Sequence, residues 1–129
     1  MQDQDTPTTL PPELTDAERQ AYEQKARELA TKHGVATVHP VVFIDPDTSK
    51  RIVAYLKEPN YMTKIMLMDK AVQSGPYVAG EEIRQICQIK EDSDPITYSD
   101  APASDQYKMG IVNRCMAIVE QARDQFKKK

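Results

Sequence analysis

The chain reads as a small α+β module in which an N-terminal helix and a β-hairpin precede a small helical bundle closed by a long C-terminal helix. Three observations carry that reading. Thr15 and Glu18 form a capping box at the head of a helical stretch, and two Val/Ile-rich runs flank the turn sequence Asp45-Pro46-Asp47-Thr48-Ser49. Near the end, Ile111, Cys115, Ile118, Val119, Ala122 and Phe126 recur with a 3.6-residue period. With 129 residues the chain supports one domain and one modest core. It has no Trp, so that core falls to Ile, Val, Leu and an unusual share of Met.

Residues 1–14 are polar and acidic and carry Pro7, Pro11 and Pro12, so the expectation is a disordered tail that folding does not need. Residues 15–129 then form a single α+β domain. The first helix spans 15–33 and stops at Gly34, a natural left-handed cap. Its stripe of Ala17, Ala21, Tyr22, Ala26, Leu29 and Ala30 is thin, which suits light packing or a partner. The hairpin spans 36–57. Pro40 cannot donate to a ladder, so the first strand is expected to begin after it or to carry a bulge there at an edge.

The helical part covers 60–129. Asn60 caps a helix in which Tyr61, Ile65, Met68 and Val72 share a stripe widened by Met62, Met66 and Leu67. Ser74-Gly75-Pro76 breaks the chain, and Val78, Ala79, Ile83, Ile86 and Cys87 outline the next helix. Residues 91–105 contain five acids, no Lys or Arg, and two prolines, so a solvated loop that orders in an assembly is expected. The period ending at Phe126 then gives the final helix.

A formal net charge of -3 argues against nucleic acid, whose partners carry a basic stripe. Lys127, Lys128 and Lys129 suit the carbonyl end of a helix better than a phosphate site. No apolar run approaches the roughly 20 residues of a membrane span, and the first residues lack the pattern of a signal peptide. The cytoplasm is therefore the expected compartment.

Chemistry is sparse. Cys87 and Cys115 lie among apolar residues at helical spacing and read as small buried hydrophobes rather than as a disulfide or nucleophiles. His33 and His39 read as a helix-end and a loop histidine rather than as metal ligands, since neither cysteine comes in a metal-binding pair. The Asp45 turn lacks the Gly and the terminal Glu of a calcium loop, and the four glycines form no phosphate-binding pattern. No catalytic residue, metal or cofactor is assigned, and the chain reads as non-enzymatic. The Met-rich stretch over 61–68 fills a core or lines an adaptable groove. If it binds, the candidate surface is Tyr61, Met62 and Met66, on the flank away from Ile65 and Met68, together with Leu29.

Tyr55-Leu56-Lys57-Glu58-Pro59, then Ala79-Gly80-Glu81-Glu82-Ile83 and Cys87, then the Lys-rich helix over 111–128 give the chain a resemblance to the small tail-assembly-chaperone-like proteins of tailed bacteriophages. The resemblance covers 35–129. Gln88 stands where similar sequences carry an aromatic residue, and the acidic loop is longer. What it implies is a non-enzymatic phage or prophage protein that binds a tail-tube or tape-measure subunit during virion assembly in the host cytoplasm, alone or as a homo-oligomer. The alternatives are a small structural component of the virion and, from a different class, an accessory subunit of an enzyme.

Overall fold

The computed structural model describes residues 10–127. At its centre β1 (Val38–Ile44) and β2 (Arg51–Lys57) pair antiparallel in unbroken register from Val38↔Lys57 to Ile44↔Arg51. The reversal is local chemistry: the Asp45 carboxylate accepts from the Asp47 and Thr48 amides at 2.8 and 3.3 Å, and Ser49 takes a left-handed φ of 61°. The remaining elements are α1 (Asp16–His33), α2 (Tyr61–Ser74), α3 (Pro76–Cys87) and α4 (Asp105–Lys127). Three single 3-10 turns, Lys90–Asp92, Pro95–Thr97 and Pro102–Ser104, connect α3 to α4. The protein is α+β: helix, hairpin, then helices ending in a long one.

Both faces of the hairpin are buried, which is why its strands read as nearly continuous apolar runs. Val41, Ala54 and Leu56 face the helical side and pack with Leu67 of α2, Ile83 and Cys87 of α3, and Ile111, Cys115 and Val119 of α4. Val38 and Tyr55 face the other way, onto Ala26 and Leu29 of α1 and onto Ile89. Two glycines set the spacing of the helical side. A Cβ on Gly110 would fall 2.5 Å from the Phe43 ring, and one on Gly80 would fall 3.0 Å from the Val112 carbonyl oxygen, so α4 lies close to both β1 and α3.

The expected tail is corrected over residues 10–14. Leu10 and Leu14 are buried and pack on Val42, and the Arg19 guanidinium donates to the Pro11 carbonyl at 2.8 Å. Two leucines have no period to reveal them, yet they suffice where a sheet face is already built and needs only local cover. The part of that expectation on residues 1–9 lies outside the described residues. Pro40 sits within β1 with no bulge, a second correction. Its partner Tyr55 directs its own amide and carbonyl away from β1, so the missing proline N–H falls on the outer edge and costs no ladder bond.

The acidic segment is ordered, contrary to expectation, because it covers the outer edge of β2. The Val53 amide donates to the Asp94 carboxylate at 2.8 Å, and the Val53 carbonyl accepts from the Asp94 amide at 2.8 Å. The Tyr55 amide donates to Ser93 Oγ at 3.1 Å, and its carbonyl accepts from the Ile89 amide at 2.9 Å. Every outward backbone group of these two residues is thus satisfied by a pseudo-strand whose only ladder pairing is the Leu56↔Gln88 bridge. Thr97 is wholly buried beneath it, bonded to Gln88 at 2.9 Å.

Asp94→Ala is expected to cost about 1–3 kcal/mol, the penalty for an unsatisfied buried amide, and to accelerate hydrogen exchange at Val53 selectively. Urea denaturation with amide exchange measures both; an unchanged Val53 rate would remove the edge-cover account. Leu14→Ala should cost about 2–3 kcal/mol as a buried large-to-small change. An unaltered urea midpoint would return residues 10–14 to the status of a tail.

Candidate functional site

The four residues expected to meet a partner separate into two sets. Tyr61, Met62 and Met66 are exposed on α2, at 65, 61 and 63 % of their full accessible areas. Leu29 is 2 % exposed and belongs to the cluster with Val38 and Tyr55, so it is a core residue. The thin stripe of α1 misled because its facing surface is flat and made of strand residues, against which Ala26 and Leu29 pack closely. Val72, expected on the stripe with Ile65 and Met68, is exposed as well. The reason is that α2 contributes only Leu67 to the core, with Met68 and Ala71 beside it, and leaves Tyr61, Met62, Met66 and Val72 outside.

A charged cluster that the sequence reading missed lies where the hairpin meets α2 and α4. His39 is in β1, not in a loop. Its Nε2 contacts Glu58 Oε1 at 2.5 Å, and Lys64 Nζ reaches Glu58 Oε2 at 2.6 Å. From α4, Arg114 Nη2 lies 3.3 Å from His39 Nδ1. A guanidinium can only donate, so Nδ1 accepts and Nε2 carries the proton given to Glu58. Both imidazole nitrogens are therefore committed, and the nitrogen that would serve as a base faces a group with no proton to yield. The Arg114 Nε and Nη1 atoms are buried without hydrogen-bond partners, and burial lowers the guanidinium pKa. As placed, the cluster is a clasp among four segments. Only the fold unites these positions, and no local motif signals them.

The hydrogen bond from His39, reinforced by Lys64 and opposed by burial, holds the Glu58 carboxyl at about 2. Cys87 and Cys115 are free and buried, and burial pushes their thiols up to about 11 and about 12, far from nucleophilic thiolates. Among the described residues, no helix is long and apolar enough to cross a membrane.

Because the folded Glu58 carboxyl titrates near 2 against an ordinary 4.5, its contribution is complete above about pH 4.5 and drains away as the pH falls towards 2. After allowance for partial exposure it is on the order of 2 kcal/mol. The stability difference between wild type and Glu58→Gln should therefore be largest near neutral pH and shrink between about pH 4.5 and 2. Urea melts across that range test it, and a gap independent of pH would deny Glu58 this role. Comparison of the chain with protein-family models, curated proteins and solved structures finds no match.

Proposed function

We propose that the protein assists bacteriophage tail assembly without catalysis, by holding a tail-tube or tape-measure subunit against the outer faces of α2 and α3 in the host cytoplasm. One observation carries the binding reading. Tyr61, Met62, Met66 and Val72 on α2, with Tyr77, Val78 and Ile86 on α3, are large apolar side chains exposed on adjoining helices. Scattered surface hydrophobes are ordinary, but a concentration of them on one helical pair is the mark of an interaction surface. Flexible thioethers at Met62 and Met66 let such a surface adapt to an apolar helix or strand of a subunit not yet assembled. Over residues 35–129, the stretch that carries the bacteriophage resemblance, the hairpin comes before the helices and the long helix comes last; the choice of partner class rests on that resemblance.

Met62→Glu should leave the circular dichroism spectrum and melting temperature unaltered, because the side chain is outside the core. It should also lower recovery of a tail-tube or tape-measure subunit from phage-infected or prophage-induced cells by about tenfold, equivalent to about 1.4 kcal/mol of binding. Equal recovery by both proteins would reject this surface. Failure of the wild type to recover any virion protein would reject the assembly role.

A further inference from the structure

The last residue of α1 and the first turn after α3 come together and bring three metal-binding side chains to one place. His33, Glu91 and Asp92 each offer one ligand atom, and these atoms all lie within 4.8 Å of one another. The sequence reading set His33 aside for want of neighbouring ligands; the fold supplies two carboxylates from a distant segment.

Two atoms of this group are orphaned. His33 Nε2 and Asp92 Oδ2 are buried and have no hydrogen-bond partner. A proton on Nε2 does not resolve this, since Glu91 Oε2 stands 4.0 Å away, beyond hydrogen-bond reach. A water that accepts from Nε2–H and donates to both carboxylates can also bridge the three atoms, but it leaves the two negative charges facing each other. A divalent cation serves all three and also offsets the repulsion between adjacent carboxylates.

We propose that His33, Glu91 and Asp92 form a divalent-cation site of the zinc class, which ties the carbonyl end of α1 to the segment covering β2. One imidazole with two carboxylates suits zinc and its borderline neighbour cobalt. Ligand atoms in a tetrahedral zinc shell stand about 3.3 Å apart, so the group closes by up to about 1.5 Å on loading. Glu91 makes that movement easily, its side chain being 62 % exposed. The site also contains a competing cation: Lys25 Nζ lies 3.5 Å from Asp92 Oδ1. It occupies the other face of the carboxylate and becomes the outer partner that orients it, at some expense in affinity. The negative end of the α1 dipole favours a cation at the same place.

The experiment is calorimetric titration of the metal-free full chain with zinc ions, paired with thermal melts and with cobalt absorption. The site predicts one saturable equivalent and a rise in melting temperature of about 5–10 °C at about 100 times Kd. His33→Ala and Asp92→Asn should each weaken binding at least tenfold, whereas His39→Ala, which alters the other imidazole, should retain it. Glu91→Gln, at an exposed side chain, supplies the comparison in a variant whose folding is not at risk. Absence of saturable binding by the wild type overturns the site. So does binding by His33→Ala or Glu91→Gln that equals the wild type, which would place the metal elsewhere.

Discussion

A two-stranded hairpin does not hold in water by itself, and the architecture of this protein follows from covering one. The hairpin has two faces and an outer edge on β2. Each is closed by a different stretch of chain: α1 with Leu10 and Leu14 on one face, α2 to α4 on the other, and residues 88–97 along the edge. The covers are interdependent. Ile89 donates to the Tyr55 carbonyl and also packs beside Leu29, so the edge segment and α1 share one cluster. Loosening that segment would expose the Val53 and Tyr55 amides and remove part of the surface against which α1 rests.

Electrostatics acts at the end of the same hairpin. Burying charges costs more than pairing them returns unless geometry is good, and Glu58 meets that condition by accepting from His39 and Lys64 at once. Arg114 does not, since two of its nitrogens are buried without partners. Its presence makes Glu58 the one negative charge in a group with two permanent cations. Protonation of Glu58 removes that one negative charge and weakens its hold on His39 and Lys64, which ties β1 and α2 to a single carboxyl.

Local chemistry was legible because it is decided within a few residues. The reciprocal Thr15–Glu18 hydrogen bonds, the left-handed Gly34 cap, the Asn60 cap on Thr63 and the Asp45 turn are each present. What escaped the sequence depends on contacts between distant segments. Asp94 and Ser93 look like solvated loop residues until β2 presents unpaired amides to them. Likewise His39, Lys64 and Arg114 belong to three elements and Glu58 to the link between β2 and α2, and His33 meets Glu91 and Asp92 only after α1 docks. Leu29 failed as a surface residue for the same reason: a stripe of small side chains gives a helix a close approach, not a loose one.

The outward residues of α2 stand apart from what the fold requires of that helix. The helix needs Leu67, Met68 and Ala71 to dock, and that requirement is met on one side. Tyr61, Met62, Met66 and Val72 add apolar surface that the core does not use and water does not favour. Packing therefore gives no account of their type, which is why the proposed partner surface is placed there. Such side chains can be changed without a cavity or an unsatisfied polar group resulting, so folding depends on other positions of the same helix. Leu67 belongs to the core, and Met66, its neighbour, lies outside it.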